Sequence, residues 1–336
     1  MKFIRIELKR EGYDPFIDYL KGISIFFVIL QHCTPPVLQS YTLFAIWARF
    51  SVPLFLLVQV FHVYKVVIGG GNFKLNAQKI WTRIFVPFFV IQILIVIYKF
   101  LWESQTPSQI VHQIFYGGFG PGAYYPWIYV QMALALPFFI PLIVRYNRLV
   151  LAVFFVLMAQ LLEIFCCVTD MPTWLFRLCF FRFIFIIYLG YVLAKDGLVI
   201  NKYTIFLAAF GVICLWLFTF NPSDLRPYFY TGIPSWKIFH WPNYIYMFYV
   251  LFPFLWYSWR VLRHNVLLKN YVLRMGKYSY EIFLFQMIWF SIVGKLSGSE
   301  SMKYQMIFMI ASILMCILPV VYIKSKFDTF KFIKNN

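Results

Sequence analysis

Three ionisable side chains lie in the first long apolar stretch of the chain, FIDYLKGISIFFVILQH, which runs from Phe16 to His32. Lys21 and His32 are eleven residues apart, which on an α-helix closes three turns to within roughly 20° and separates the two by about 16 Å along the axis. Asp18 precedes Lys21 by three positions, so its carboxylate and the ammonium group can pair. The spacing predicts one polar helix face with an ion pair at one end and an imidazole at the other.

This polar face permits two interpretations. A neutral imidazole with an unperturbed pKa of about 6.5 can take the proton from a hydroxyl group as that hydroxyl attacks a carbonyl carbon. A lysine at the membrane surface can attract an anionic ligand. Alternatively, the face is a helix-packing contact, and the lysine extends its charge to the interface. Ionisable residues inside a membrane are costly, so they are functional candidates by default.

The composition indicates which elements carry this face. Hydrophobic residues make up 62% of the 336 positions and charged residues 12%, which is more apolar surface than one soluble core can bury, so lipid must solvate it. The apolar runs lack the alternation of barrel strands and are long enough to span as helices. The sequence predicts an all-α, polytopic integral membrane protein of about ten transmembrane helices, at 16–34, 42–64, 84–102, 127–144, 149–168, 175–194, 203–220, 244–259, 279–296 and 304–323.

The formal net charge of +18 is unevenly distributed along the chain. Most lysines and arginines fall in alternate loops, and this asymmetry predicts by the positive-inside rule that both termini are cytoplasmic. We interpret the positive charge as a determinant of membrane orientation and as an attraction to anionic lipid headgroups, and we expect no nucleic-acid partner. We also expect a single membrane domain over residues 1–336.

Further polar residues interrupt the other predicted helices and loops. Glu163 and Arg182 are predicted to form an interhelical ion pair, and a catalytic role is the alternative. His62 is expected as a side chain at the inner interface, and a role as a second base is the alternative. His112 and His240 fall in predicted outer loops rich in Tyr, Trp, Gly and Pro. These loops either contact a glycan through aromatic faces or form an aromatic belt at the membrane surface.

The stretch DYLKGISIFFVILQH resembles the first helix of the membrane acyltransferase family called acyltransferase 3, whose hallmark is an arginine, ten residues and a histidine. Lys21 stands at the arginine position and His32 matches the histidine. ARFSVPLFLLVQVF (48–61) resembles the second helix of that family, and KIWTRIFVPFF (79–89) the basic stretch that leads into the third. Three later segments also match in order: YYPWIYVQMALALPFFIPLI, FIFIIYLGYVLAK and MGKYSYEIFLFQMIW. The resemblance therefore covers nearly the whole chain.

Three positions depart from the family pattern. Lys21 replaces the planar fork of an arginine with a point charge. Gln59 and Val60 stand where the second helix of the family commonly ends in Ser-Gly, and Gln286 stands where many relatives have a histidine.

The resemblance implies transfer of an acyl group, most often acetyl from acetyl-coenzyme A, to a hydroxyl of an envelope carbohydrate. His32 is then the candidate general base. The negative phosphates of a cytoplasmic donor need cationic groups at the inner mouth, where Lys21, Lys79 and Arg83 are predicted. Simple positive-inside anchoring is the alternative for Lys79 and Arg83.

Two residues are expected to support this site. Arg49 could polarise the thioester carbonyl or hold Asp18, and helix pairing is the alternative for it. No permanently bound cofactor and no metal ligand set are expected, because acyl-coenzyme A is a substrate and the six cysteines show no metal-like spacing. The expected partners are the carbohydrate acceptor, membrane lipids and proteins of glycan biosynthesis. The expected location is the bacterial inner membrane.

A carrier or exporter of an envelope polysaccharide precursor, without covalent chemistry, is the competing interpretation. Many helices with a charged stripe inside the membrane suit a transporter as well. The three departures favour it. The lysine, ten residues and histidine of the first helix, and the lack of an obvious inverted repeat, favour the enzyme.

Overall fold

Helices form most of the chain in the computed structural model, which describes residues 4–9, 12–71, 73, 75–221, 223–233, 236–294 and 301–335, with side chains as far as Asp328. The helices are α1 (Pro15–Cys33), α2 (Pro36–Tyr41), α3 (Ser51–Ile68), α4 (Ala77–Ile80), α5 (Val86–Trp102), α6 (Pro107–Phe115), α7 (Tyr125–Arg145), α8 (Arg148–Val168), α9 (Thr173–Leu178), α10 (Ile184–Asp196), α11 (Lys202–Phe220), α12 (Trp241–Tyr246), α13 (Phe252–Leu262), α14 (Val266–Lys277), α15 (Ser279–Ile292) and α16 (Met302–Asn335). Two π-helical segments, Trp81–Phe85 and Met247–Leu251, make α4 continuous with α5 and α12 with α13.

Eight helical segments of the described chain are long and apolar enough to cross a membrane. They are Pro15–Cys33, Phe44–Ile68, Ala77–Trp102, Tyr125–Arg145, Arg148–Val168, Lys202–Phe220, Trp241–Leu262 and Met302–Asp328. Each coincides with one of the ten predicted spans, so the protein is an all-α, multi-pass membrane protein. The predicted span 279–296 corresponds to the shorter apolar helix α15, and its last two residues lie outside the described residues.

The remaining predicted span, 175–194, is not one helix. It divides into α9, a 3-10 turn at Phe180–Phe183 and α10, with an extended residue, Cys179, between the first two. The side chain of Gln131 on α7 bonds to the backbone on both sides of this break: its amide donates to the Leu178 carbonyl at 2.7 Å, and its oxygen accepts from the Phe180 N–H at 3.2 Å. Backbone polar groups inside a membrane protein need internal partners. The Gln131 side chain supplies a partner for two of these backbone groups, the Leu178 carbonyl and the Phe180 N–H.

The described chain groups into two compact units. The first unit contains Met1–Asp14, Pro53–Ala77 and Tyr124–Ser258, and the second contains Pro15–Val52, Gln78–Ala123 and Trp259–Asn336. A single domain over residues 1–336 stays a prediction. The first unit also contains a two-stranded antiparallel sheet, β1 (Ile4–Ile6) with β2 (Leu198–Ile200), which is a minor exception to the predicted all-α architecture.

In the second unit, α1 packs closely against α14. A Cβ atom at Gly276 would clash with the Asp18 carbonyl oxygen, and one at Gly22 would clash with the Val272 carbonyl oxygen. Only glycine allows these two backbones to approach so closely, as is common where membrane helices pack through small residues. This contact fixes the end of α1 that carries Asp18.

Candidate active site

The polar face of α1 is built on an uninterrupted helix from Pro15 to Cys33. The Lys21 ammonium and the Asp18 carboxylate form an ion pair three residues apart, as the spacing predicts. Asp18 lies in the first turn, where a negative charge is favoured by the helix dipole. Because the helix is continuous, Lys21 and His32 share one face and are separated by about 16 Å along the axis.

His32 lies in the last turn of α1 and is half-buried. Its ring centroid is 5.8 Å from that of Phe290 on α15. The neighbouring Gln31 side chain donates to the Ala48 carbonyl at 2.6 Å and to the Ser51 hydroxyl at 2.8 Å. These bonds attach the histidine end of α1 to the turn that precedes α3.

Arg49 belongs to that turn, the 3-10 segment Ala48–Phe50, and is half-buried. Its backbone therefore lies at the level of Gln31, whereas Asp18 is thirteen residues earlier on α1, about 20 Å along the axis. An arginine side chain is too short to cover that separation. The geometry therefore favours a role for Arg49 beside His32 over a contact with Asp18.

Arg83 and Lys79 lie four residues apart on the helical stretch that leads into α5, and both are exposed. The Tyr280 hydroxyl donates to the Ile84 carbonyl at 2.6 Å, which connects the start of α5 to α15. Tyr280 lies only four residues after Gly276, the residue that packs against Asp18. These contacts place Arg83 at the same end of the second unit as the Asp18 and Lys21 pair. A continuous cavity from Lys21 and Arg83 to His32 stays a prediction.

Gln286, one of the three departures from the family pattern, has a structural partner in the same unit. Its amide donates to the Pro121 carbonyl at 2.9 Å. Pro121 lies in a turn whose glycines adopt positive φ angles, among them Gly120 at 84° and Gly122 at 80°, a conformation that glycine adopts without strain. The Gln92 side chain holds the same turn through the Phe119 N–H at 2.6 Å and the Phe119 carbonyl at 3.0 Å. Gln286 therefore anchors a backbone turn.

A buried polar cluster in the first unit corrects two expectations. His240 is 1% exposed, and its Nδ1 lies 2.7 Å from Glu163 Oε1. The other carboxylate oxygen accepts the Tyr230 N–H at 3.0 Å. The predicted direct ion pair between Glu163 and Arg182 is therefore replaced by contacts to His240 and Tyr230. His240, predicted in an outer loop that either contacts a glycan or belongs to an aromatic belt, is instead buried and bonded to the Glu163 carboxylate.

Arg182 lies in an aromatic enclosure. Its guanidinium carbon is 3.7 Å from the ring centroid of Trp236, 4.5 Å from that of Phe183 and 5.3 Å from that of Tyr124, distances typical of cation–π contacts. Burial raises the pKa of the Tyr124 hydroxyl, although Arg182 and Arg177 oppose this shift, so the phenol stays neutral beside the guanidinium. The sequence identifies Arg182 as an intramembrane charge, but its partners Tyr124 and Trp236 are too distant in the chain to be recognised from the sequence.

The helices and the polar face of α1 define a multi-pass membrane protein with a histidine on its first membrane helix. The family model for the acyltransferase domain called acyltransferase 3 matches residues 14–324, which is nearly the whole chain. The chain therefore belongs to the acyltransferase 3 family, and it is an enzyme that transfers acyl groups other than aminoacyl groups. No curated protein and no solved structure shows a significant match to the chain.

Proposed function

We propose that this enzyme is an O-acyltransferase of the bacterial inner membrane. It moves an acyl group, acetyl in the first instance, from a cytoplasmic acyl-coenzyme A to a hydroxyl of a cell-surface or lipid-linked polysaccharide. The observation that carries this proposal is the continuous α1 helix, which holds Lys21 and His32 on one face. One helix thus presents a cation for the donor and a base for the acceptor.

His32 acts as the general base. Its neutral imidazole takes the proton from the acceptor hydroxyl as that oxygen attacks the thioester carbonyl carbon. The carbon–sulfur bond then breaks, the acyl group stays on the acceptor oxygen, and the imidazolium returns the proton to the departing thiolate. In this proposal Arg49, whose backbone lies at the same end of α1, stabilises the negative charge that develops on the carbonyl oxygen.

The donor phosphates bind at the other end of α1. Arg83 is exposed and its guanidinium can fork onto two phosphate oxygens. Lys79, four residues before it, adds a second exposed cation. Lys21 already shares its charge with Asp18, so Arg83 is the stronger candidate for the direct phosphate contact. The pantetheine arm of coenzyme A would then extend along α1 toward His32.

Replacement of His32 tests the base. His32→Ala should lower acyl transfer by about 10²- to 10⁴-fold, the usual contribution of a positioned base. His32→Gln should be nearly as inactive, because an amide cannot accept the proton. His62→Ala is the matched control: His62 is an exposed histidine on α3, and its loss should leave activity unchanged. The measurement is ester-linked acyl content of surface glycan in cells with equal amounts of each protein. Full acylation with His32→Ala would refute the mechanism.

A deletion strain separates the enzyme from a carrier. Without the enzyme, the glycan should still reach the cell surface but should carry no ester-linked acyl groups. Loss of the surface glycan itself would instead support a carrier of the precursor.

A further inference from the structure

Helix α6, which lies in the connection between α5 and α7, has three chemically different sides. At about 100° per residue on a helix, Val111, Ile114 and Phe115 fall within an arc of roughly 100°. These three side chains are 51%, 52% and 63% exposed. On the second side, which faces the protein, Ile110 is buried and Gln113 is half-buried. The third side is polar and exposed, and it carries Ser108, Gln109 and His112.

The apolar stripe, as we call Val111, Ile114 and Phe115, has the composition of a lipid-facing surface. None of its three side chains has a polar atom, and the helix sequence PSQIVHQIF contains no Asp, Glu, Lys or Arg. An arc of about 100° is the usual width of the face that an amphipathic helix packs onto an apolar partner. Exposed apolar side chains that adjoin one another in this way indicate a surface that a partner covers.

The chain between α5 and α6 fixes the position at which α6 begins. The Lys99 carbonyl accepts from the Glu103 N–H at 3.2 Å and from the Gln105 N–H at 3.3 Å, so the chain folds back onto the end of α5. Helix α6 begins at Pro107, only two residues after Gln105, which is at most about 7 Å of extended chain. It therefore begins beside the last turn of α5.

The last turn of α5 belongs to a membrane-spanning segment. The segment Ala77–Trp102 is long and apolar enough to cross a membrane. The three side chains at its end, Phe100, Leu101 and Trp102, are each more than half exposed. Tryptophan is enriched where a spanning helix meets the interface between lipid and water. Helix α6 therefore lies at a membrane boundary, next to a surface of α5 that faces lipid.

Hydrogen bonds hold the second side of α6 to the protein. The Gln113 side-chain amide donates to the Gly118 carbonyl at 3.0 Å, and the Gly118 N–H donates to the Gln113 carbonyl at 3.1 Å. Gly118 belongs to the glycine turn that Gln92 and Gln286 also hold. These bonds fix the rotation of α6 about its own axis, so the apolar stripe is directed away from the protein.

We propose that α6 lies in the membrane interface and that its apolar stripe contacts the acyl chains of lipids. An interfacial helix of this kind buries its apolar face about 5–10 Å into the boundary between headgroups and acyl chains. Because α6 is bonded to the glycine turn, the lipid contact also fixes that turn beside α15. The proposal concerns placement at the membrane and does not depend on the acyl transfer proposed for His32.

A glycan is the competing partner, because α6 falls in a predicted outer loop. Sugar rings are recognised by aromatic faces together with hydrogen-bonding groups. The apolar stripe offers one aromatic ring, that of Phe115, and two aliphatic side chains, with no hydrogen-bonding atom on any of the three. Its chemistry therefore favours hydrocarbon over sugar.

Photocrosslinking in liposomes tests this proposal. The full-length protein carries p-benzoylphenylalanine at one position, and an alkyne on one acyl chain of the phosphatidylcholine reports any lipid adduct. Ile114→p-benzoylphenylalanine and Phe115→p-benzoylphenylalanine should both form lipid adducts. His112→p-benzoylphenylalanine is the matched control, because it lies roughly 160° from Ile114 around the helix, and the adduct should be lost there. Phe100→p-benzoylphenylalanine, on α5, is the positive control for lipid contact.

Two results in liposomes would overturn the proposal. One is an adduct from Phe100 without any adduct from Ile114 or Phe115, and the other is equal adduct from Ile114 and His112. In cell membranes, a glycan adduct or a covalent dimer from Ile114 in place of the lipid adduct would also overturn it, because another partner would then cover the apolar stripe.

One measurement on the unaltered protein keeps the test decisive if the variants fold poorly. A phospholipid with a photoreactive diazirine near its glycerol backbone should label residues 107–115, as mapped by mass spectrometry of the digested protein. Label on the spanning segments but not on residues 107–115 would contradict the interfacial position of α6.

Discussion

His32 and His240 show how differently two histidines of one membrane protein can be held. His32 is half-buried at the end of α1 and touches the ring of Phe290. His240 is 1% exposed, bonds to Glu163 and lies against the rings of Phe218 and Phe229, with centroids 5.0 Å and 5.3 Å away. An imidazole enclosed in this way has a structural role, because it cannot reach a substrate. A half-buried one can meet a substrate and exchange a proton with it.

The ion pairs on the helices that carry or adjoin the two histidines differ in the same way. Asp18 and Lys21 pair locally, within one turn of one helix. Glu163 and His240 are 77 residues apart and their contact connects α8 to the residue that precedes α12. Loss of the local pair should change ligand binding at α1, whereas loss of the long-range pair should change the stability of the first unit. We therefore expect the α1 residues to take part in the chemistry and the Glu163–His240 pair to stabilise the first unit.

The orientation of α1 in the membrane gives an all-or-none test of the site proposed on this helix. If the lysine end faces the cytoplasm, a reporter fused after Gly120 should lie outside the cell and one fused after Asn336 inside. We expect phosphatase activity from the first fusion and fluorescence of a fused green fluorescent protein from the second. Reporters that both indicate the same compartment would refute the topology and the cytoplasmic donor site.

Glu163→Ala should have the largest effect on stability. It leaves His240 and the Tyr230 N–H buried without their acceptor, and removal of one member of a buried polar pair costs about 3–5 kcal/mol. Glu281→Ala is the matched control, because Glu281 pairs with Lys324 at a partly exposed site, and a solvent-accessible pair contributes about 1 kcal/mol or less. Thermal unfolding of both variants in nanodiscs checks this. Equal unfolding temperatures of the two variants would show that the buried Glu163–His240 contact stabilises the protein no more than the Glu281–Lys324 pair does.

Gly276→Ala should have an intermediate effect. The new methyl group would meet the Asp18 carbonyl, so α14 must move away from α1, at a cost of about 1–3 kcal/mol for overpacking. The displacement should also raise the KM for acyl-coenzyme A, because the contact fixes the lysine end of α1. Gly69→Ala, at the exposed end of α3, is the control. An unchanged KM would show that donor binding does not depend on the contact.

Lys21→Arg should have the smallest effect and should be favourable. The substitution restores the residue that the family resemblance expects and offers a planar fork for phosphate. We expect the KM for acyl-coenzyme A to fall by less than about tenfold, which corresponds to less than about 1.4 kcal/mol, with kcat unchanged. A lower kcat would place Lys21 in the chemical step and not in donor binding.

The sequence predicted eight of the membrane spans and the polar face of α1, because these depend on local spacing. Apolar runs of sufficient length and the interval from Lys21 to His32 can be read within one helix. The position of Arg49 could not be predicted, because a 3-10 turn precedes α3 where the apolar run suggests a longer helix.

The buried cluster depended on contacts between distant segments. Glu163 and Arg182 were recognisable as costly charges, but their polar or aromatic partners include His240 and Trp236, which follow by more than 50 residues. The apolar run 175–194 contains no proline or glycine before Gly190 to mark the break at Cys179. The backbone on both sides of the break is bonded to Gln131, which looks like an isolated polar residue in its own helix.

The hydrogen bonds from Gln131 to both sides of Cys179 also bear on how the protein is made. The segment 175–194 carries Arg177 and Arg182, and an arginine near the centre of a spanning helix opposes insertion by about 2.5–3.5 kcal/mol. Its broken backbone has two more groups to satisfy, and both partners come from α7, which is synthesised earlier. We therefore expect this segment to leave the translocon only after α7 is in place, so that the membrane insertion of this broken segment depends on a glutamine carried by another helix.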